Sequence, residues 1–151
     1  MKLHEVFQAT RTKNLRRGDV YATGRRNVNY FKLLQYFNDR YGKPVGAGLH
    51  RVGFSKGNVV VKVPKNDMGM MDNEREYRMY RESIQKPKRH RPLARNKLIY
   101  IDEVPVLYIE KLDIQPNVYK HGPQPNWADE IDSQQVGVDR KGKWKAYDYA
   151  E

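Results

Sequence analysis

The chain has 151 residues, 38% of them hydrophobic, a length and composition that suit one domain with a modest core. The absence of cysteine excludes disulfide bonds and thiolate metal sites and is typical of the reducing cytoplasm, where we expect the protein to act. The net charge of +11 favours either an anionic partner or a solvated basic face that keeps the protein in solution. No apolar run approaches the roughly 20 residues of a membrane span, so no membrane partner is expected.

Residues 1–44 are predicted to form a helical N-terminal extension. Within them the stretch 27–41 has the clearest helical periodicity, because apolar side chains recur at the spacing of helical turns. Asn27 or Asn29 can cap this helix, and Gly42 ends it. The apolar residues at helical spacing are Tyr30, Leu33, Leu34, Phe37 and Tyr41.

Beyond this helix the pattern changes to short strands and tight turns. Residues 45–54 predict two strands around a glycine turn, and the β-branched run 59–63 is typical of a buried strand. Asp72 or Asn73 is then expected to cap a helix that runs to about Gln85. Its predicted apolar stripe is Tyr77, Tyr80 and Ile84.

The rest of the sheet is predicted from short apolar runs separated by turn residues. A turn is expected at Asp102-Glu103, and a second one between the last two strands, which should pair as a hairpin. The four strands are 97–101, 106–109, 136–138 and 144–147. The predicted fold class is α+β, with residues 45–151 forming one domain that packs with the extension as a single unit.

Two kinds of residue in this domain have chemistry that favours a phosphate ligand. Gly46 and Gly48 allow backbone N–H groups to approach a phosphate that a Cβ would block. Lys62 interrupts a run of valines, and its ammonium group is costly to bury unless it meets an anion. That anion is either a phosphate or a carboxylate on the next helix, where Glu74 and Glu76 lie on different faces.

In this order the elements resemble the protein kinase family. The resemblance is carried by Gly46-x-Gly48, by Val60-Val61-Lys62-Val63, by Glu76 and by the run 107–112. It implies an antiparallel sheet with one packed helix, like the smaller kinase lobe, and ATP as the ligand. By the same resemblance Lys62 holds the α- and β-phosphates and Glu76 orients it, below a loop made by Gly46 and Gly48.

The resemblance also implies an adenine site. Ile109 takes the place of the residue behind the base, and the backbone from Glu110 to Leu112 takes the place of the hinge that binds adenine. Val52 and Val60 would pack on the ring.

The end of the chain is similar to the kinase segments that bind metal and activate the acceptor hydroxyl. Asp148 would be a ligand of Mg²⁺, and Gln135 falls where kinases place a metal-binding Asn. Glu130 lies five residues before Gln135, at the place of the catalytic base, and Asp132 is the alternative base.

Departures from the kinase pattern imply a degenerate protein with weak or no phosphoryl transfer. Arg51 replaces the third glycine of the loop, and no His-Arg-Asp precedes the catalytic positions. Asp-Phe-Gly has become Asp148-Tyr149-Ala150, and only about 18 residues separate the hinge from Ile131, which leaves a minimal remnant of the larger lobe.

Small basic proteins of this kind resemble accessory proteins of bacterial viruses, which implies a host protein as partner and the host cytoplasm as location. The segment 86–97 and the loop 113–130 are the expected contact surfaces. The alternative is a small basic nucleic-acid-binding protein without a nucleotide site, in which Tyr21, Tyr30 or Tyr36 stacks on bases.

Overall fold

A five-stranded antiparallel sheet with helices packed on it forms the centre of the protein, as seen in a computed structural model that describes residues 29–87, 91–130 and 135–148. The strand order is β1-β2-β3-β5-β4, and β6 and β7 form a separate hairpin. In chain order the elements are α1 (Tyr30–Tyr41), β1 (Gly46–Ala47), β2 (Arg51–Lys56), β3 (Val59–Pro64), α2 (Asp67–Gln85), β4 (Asn96–Ile101), β5 (Val104–Glu110), α3 (Val118–His121), a 3-10 helix (Asn126–Glu130), β6 (Val136–Val138) and β7 (Trp144–Ala146). The predicted α+β class is confirmed.

Helix α1 begins and ends where the sequence predicts. The side chain of Asn29 caps it by accepting a hydrogen bond from the N–H of Lys32, and Gly42 ends it at a φ of +83°, which glycine adopts without steric cost. Its apolar side lies on the sheet, where Phe37 is fully buried and stacks on Phe54 of β2 with a centroid distance of 5.9 Å. The helix therefore belongs to the same hydrophobic core as the sheet.

The two faces of the sheet have different neighbours. Side chains of Phe54, Val61 and Val106 join α1 in the larger hydrophobic core. Alternate residues point to the other face, where Lys62 pairs in register with Leu107 and lies toward α2. Strand β3 is apolar except for Lys62. The face of the sheet toward α1 is therefore apolar, whereas the opposite face carries the charge of this lysine.

Helix α2 begins earlier than the sequence predicts. Its N-cap is Asn66, whose side chain accepts from the N–H of Gly69 at 3.0 Å, so the predicted caps Asp72 and Asn73 were wrong. Both are buried inside the helix, and the Asn73 amide donates to the carbonyls of Lys62 and Pro105, at 3.0 and 2.8 Å. Asn73 thus bonds to the sheet backbone from inside the helix and does not cap its start.

The buried side of α2 is correspondingly polar. Ile84, expected in an apolar stripe, is 49% exposed, whereas the polar residues Asp72, Asn73, Glu76 and Ser83 are buried. The helix is therefore held on the sheet by hydrogen bonds and ion pairs as well as by apolar contacts.

Two hairpins match the predicted turns. The β4–β5 turn has positive φ angles at both Asp102 and Glu103, as a two-residue hairpin turn requires. The predicted pairing of β6 with β7 is confirmed, and their turn is closed by Asp139, whose carboxylate accepts from the N–H groups of Lys141 and Lys143.

The β6–β7 hairpin is attached to the sheet by backbone hydrogen bonds. Ala146 donates to the Pro92 carbonyl at 2.9 Å and accepts from the Ala94 N–H at 2.8 Å, while Asp113 and Val138 exchange two bonds of 2.9 Å. This attachment places the residues that follow β7 beside the charged face of the sheet.

Candidate functional site

A cleft of about 450 Å³ lies between the charged face of the sheet and the residues that follow the β6–β7 hairpin, Tyr147 and Asp148. Its apolar lining includes Val60 and Ile109, which are partners in the β3–β5 register, together with Leu112. Its charged lining includes Lys62 and Asp148. Many of the residues predicted to bind a nucleotide thus line one cleft: Gly46, Gly48, Val60, Lys62, Ile109, Glu110, Leu112 and Asp148.

Lys62 is the central charged residue of the cleft. Its ammonium lies 3.2 Å from Oε1 and 3.3 Å from Oε2 of Glu76, and it also contacts the Asp148 carboxylate. The Lys62 side chain is 11% exposed and that of Glu76 is fully buried. Of the two candidate carboxylates on α2, Glu76 is therefore the one that meets the lysine, while Glu74 lies 3.5 Å from the Tyr100 hydroxyl.

Arg51 is a second cation in this cluster. Its Nη1 lies 2.5 Å from Glu76 Oε2 and 3.1 Å from Asn73 Oδ1, and its side chain is only 2% exposed. Sequence reasoning treated this residue solely as the loss of a loop glycine. An arginine that follows a glycine turn and precedes an apolar strand gives no sequence signal that its head group turns inward.

Asp148 is placed by the hairpin that precedes it. The N–H of Tyr147 donates to the Gln135 carbonyl at 2.9 Å, which extends the β6–β7 pairing and brings Gln135 next to the Asp148 region. Asp148 itself has a φ of +50°, a conformation that Asp and Asn adopt more readily than other side chains. The aspartate at the end of the chain is therefore directed back to Lys62.

The residues predicted to bind Mg²⁺ do not assemble a metal site by themselves. The Asp148 carboxylate contacts Lys62. Within residues 29–87, 91–130 and 135–148, no three His, Asp or Glu side chains lie together as metal ligands would. Of the predicted bases, Glu130 ends the 3-10 helix, and Asp132 lies outside the described residues.

The glycine turn is held on the start of α2. The N–H of Lys65 donates to the His50 carbonyl at 3.0 Å, and the Asn66 amide lies 3.2 Å from the His50 ring. A Cβ on Gly69 would lie 2.2 Å from the His50 carbonyl oxygen, whereas a Cβ on Gly46 would meet nothing within 4 Å. Gly69 is thus a glycine that the contact between the turn and α2 requires, and sequence reasoning missed it. A glycine inside a helix is a signal that another part of the backbone approaches the helix closely.

The backbone of the turn is partly occupied. The N–H of Gly48 donates to the Arg51 carbonyl at 2.9 Å, within the β1–β2 hairpin. The Gly48 N–H is therefore already used, and the predicted phosphate-binding loop has one backbone donor fewer than the kinase resemblance implies.

Val52 is not part of the cleft. It pairs in register with Val63 and belongs to the core on the α1 face, whereas Val60 points to the opposite face. The prediction that Val52 packs on a base therefore fails, because strand alternation turns it away from the cleft.

The stretch proposed as a hinge has one free backbone position. The N–H groups of Glu110 and Lys111 donate to Arg95 and Asn58, at 3.0 and 2.9 Å. Among the hydrogen bonds of the described residues, none uses the N–H or the carbonyl of Leu112. That residue could therefore offer one donor and one acceptor to a ligand at the cleft.

The Glu110 side chain has a structural role that the sequence did not reveal. Its carboxylate accepts from Arg95 Nε at 2.9 Å and from Lys145 Nζ at 2.9 Å, and Lys145 also lies 2.9 Å from Asp139. This network ties the β6–β7 hairpin to the end of β5. It thereby fixes one wall of the cleft.

Burial and hydrogen bonding act in opposite directions on this network. Burial alone would lower the pKa of Lys145, but hydrogen bonds to Asp139 and Glu110 outweigh it and raise that pKa. Burial alone would raise the pKa of Asp139, but the bonds from Lys145 and from the N–H groups of Lys143 and Lys141 hold that pKa below its usual value. Both groups are therefore kept charged.

The residues expected to contact nucleic acid are only partly placed. Arg95 pairs with Glu110, while Tyr21 and residues 88–90 lie outside the described residues. Tyr30 bonds to Asp67, and Tyr36 packs edge-on against Phe37, so both predicted stacking tyrosines contribute to the protein's own packing.

Comparison of the chain with family models, curated proteins and solved structures finds no match. None of the helices in the described residues is long and apolar enough to cross a membrane. The function is therefore argued from the cleft.

Proposed function

We propose that the chain is a reduced kinase-like protein that binds a nucleotide such as ATP in the cleft, with weak or no phosphoryl transfer. The observation that carries the proposal is the Lys62 ammonium, held in the cleft 3.2 Å from the buried Glu76 carboxylate. A lysine that is paired with a helix glutamate inside a cleft is suited to binding a phosphate group, because its ammonium is already oriented toward the space where the ligand would bind.

The order of the elements supports the same proposal. The β1–β2 hairpin precedes β3, the strand that carries Lys62, and α2, the helix that carries Glu76, follows β3. The β4–β5 hairpin comes next, and its second strand, β5, lies beside β3 in the sheet. This is the order that the resemblance to protein kinases implies.

The apolar lining supports a base as part of the ligand. Val60 and Ile109 lie side by side on the floor of the cleft, and Leu112 combines an apolar side chain with an unused backbone N–H and carbonyl. An aromatic ring on these side chains would gain buried area, and Leu112 could bond to its edge. The phosphates would then extend toward Lys62, two residues along β3 from Val60.

We do not propose phosphoryl transfer as the main activity of the protein. No His-Arg-Asp precedes the catalytic positions, and Arg51 replaces a loop glycine with a buried side chain. The protein would bind the nucleotide as a structural or signalling ligand, because binding needs fewer of the kinase parts than catalysis does.

Thermal unfolding with and without ATP tests this function. A ligand at 100 times its Kd adds about 2.7 kcal/mol to stability, which raises the Tm of a domain this size by several degrees. The rise should vanish in Lys62→Met and persist in Lys65→Met, which makes the same substitution at an exposed lysine outside the cleft lining. Equal shifts in both variants, or no shift in the wild type at millimolar ATP, would reject the nucleotide site.

A second candidate function is binding of a partner protein through the loop 113–130. Its described side chains include Ile114, Val118 and Tyr119, which are exposed large apolar residues, and Tyr119 is 98% exposed. Exposed aromatic and aliphatic side chains close in sequence are typical of interface anchors.

Paired variants test this second function. The change Val118→Ser/Tyr119→Ser should abolish capture of one defined protein from bacterial lysate, while Leu49→Ser, another exposed apolar residue, should leave capture unchanged. Identical protein sets on all three baits would argue against this loop as a contact surface.

A further inference from the structure

Four charged side chains of the described residues form a cluster that includes Lys62. They are the cations Arg51 and Lys62 and the anions Glu76 and Asp148. Arg51 lies closer to Glu76 than Lys62 does, at 2.5 Å against 3.2 Å, so Glu76 keeps a cation beside it if Lys62 changes partner. Asp148 is the further anion that contacts Lys62.

Asp148 occupies the side of Lys62 that a phosphate would need. Both residues line the cleft, and their charged groups are in contact. A phosphate brought to the same ammonium would meet the aspartate carboxylate within a few ångströms, and like charges at that distance repel. Ligand and aspartate therefore compete for one cation.

The magnesium role that the kinase resemblance implies for Asp148 does not fit its surroundings. Its carboxylate contacts the Lys62 ammonium, and the described part of the chain brings together no set of three His, Asp or Glu side chains that could hold a metal. A carboxylate that already pairs with a lysine would have to leave it to bind a metal.

We infer that Asp148 is an internal competitor of the ligand and that the cleft binds a nucleotide as its metal-free polyphosphate. This inference rests on the proposed nucleotide site. The ligand displaces the Asp148 carboxylate from Lys62, and the carboxylate, whose side chain is 23% exposed, turns to solvent at the mouth of the cleft. Arg51 makes the exchange feasible, because Glu76 keeps a cation while Lys62 changes partner.

The test is ATP binding measured by isothermal titration calorimetry in EDTA and in excess Mg²⁺, on wild type and Asp148→Asn. Asparagine tolerates the positive φ of this position and removes only the charge. We expect wild type to bind ATP in EDTA, Asp148→Asn to bind it about tenfold more tightly or better, and Mg²⁺ to strengthen neither. Asp39→Asn is the matched control, since this aspartate lies at an exposed position of α1 outside the cleft lining, and it should leave ATP affinity unchanged.

The outcomes separate the inference from the proposed function. Binding that requires Mg²⁺ and weakens in Asp148→Asn would overturn the inference and leave the nucleotide site in place with Asp148 as a metal ligand. Equal affinity of wild type and Asp148→Asn in EDTA would also overturn it. Absence of ATP binding by both proteins in both buffers would reject the nucleotide site itself. Thermal unfolding of Asp148→Asn without ligand verifies that the variant is folded.

Discussion

The guanidinium of Arg51 lies 2.5 Å from the carboxylate of Glu76, and both side chains are almost wholly removed from solvent. The arginine comes from the strand β2 and the glutamate from the middle of α2, so the pair joins the helix to the sheet. An ion pair buried to this degree has lost its hydration on both sides, and either partner alone would be an uncompensated buried charge.

Arg51→Met is therefore expected to destabilise the protein by about 3 kcal/mol in urea unfolding, because Glu76 would keep only the more distant Lys62 as a cation. The matched control is Arg78→Met on the exposed side of α2, which should change stability by less than about 0.5 kcal/mol. The double variant Arg51→Met/Glu76→Leu should recover much of the loss, since it removes the buried charge. A double variant as unstable as the sum of its single variants would contradict this account.

Much of the fold could be predicted because local signals agree with tertiary structure. Helix α1, the β4–β5 turn and the β6–β7 hairpin follow from caps, periodicity and turn residues that need no distant partner. The start of α2 could not, because Asp72 and Asn73 have the composition of caps and their use depends on the strands below them.

The site was predicted in part for a similar reason. A lysine in a valine run demands an anion, and Glu76 on the following helix supplies one, so this pair was within reach of sequence reasoning. The inward turn of Arg51 and the bond between Glu110 and Lys145 depend on contacts between residues 25 or more positions apart. No local pattern encodes such contacts, and an exposed charge is the default expectation for either residue.

Gly69→Ala tests the contact between the glycine turn and α2. Alanine favours a helix by about 1 kcal/mol over glycine, yet its Cβ would lie 2.2 Å from the His50 carbonyl oxygen and 3.1 Å from the Pro64 Cα. Because the neighbours are backbone atoms, we expect a net loss of about 2 kcal/mol in urea unfolding. Gly46→Ala is the control and should leave stability nearly unchanged, since its Cβ would meet open space. A stabilised Gly69→Ala variant would show that the turn does not rest on the helix.

Lys145→Met tests the network that holds the β6–β7 hairpin. The substitution would leave the carboxylates of Glu110 and Asp139 without their shared cation, at an expected cost of about 2 kcal/mol near neutral pH. Lys143→Met, at an exposed position of the same strand connection, should cost little.

The same network predicts a pH dependence with a definite sign. Because the pKa of Asp139 is lowered in the folded state, its stabilisation is present above the unfolded value of about 3.9 and is lost as pH falls through the folded value. Because the pKa of Lys145 is raised, its stabilisation is present below about pH 10.4 and is lost as pH rises through the folded value. The stability difference between wild type and Lys145→Met should therefore be largest between these limits and shrink outside them. A difference that is constant from pH 3 to pH 11 would exclude the ion network as its cause.

Tyr108→Phe is expected to stabilise the protein. The Tyr108 hydroxyl is buried and has no hydrogen-bond partner in the structure, so folding removes it from water without compensation. Removing the oxygen should raise the free energy of unfolding by about 1 kcal/mol, while Tyr119→Phe, at a fully exposed tyrosine, should have no effect.

Burial, and then the neighbouring Tyr41 and Tyr36, raise the pKa of the Tyr108 phenol. A raised pKa gives stability that is present below the unfolded value of about 10 and is lost as pH rises, so the advantage of Tyr108→Phe should grow above pH 10. Urea unfolding of wild type and both variants at pH 7 and pH 10.5 measures this, and a less stable Tyr108→Phe at pH 7 would mean that the hydroxyl has a partner in solution.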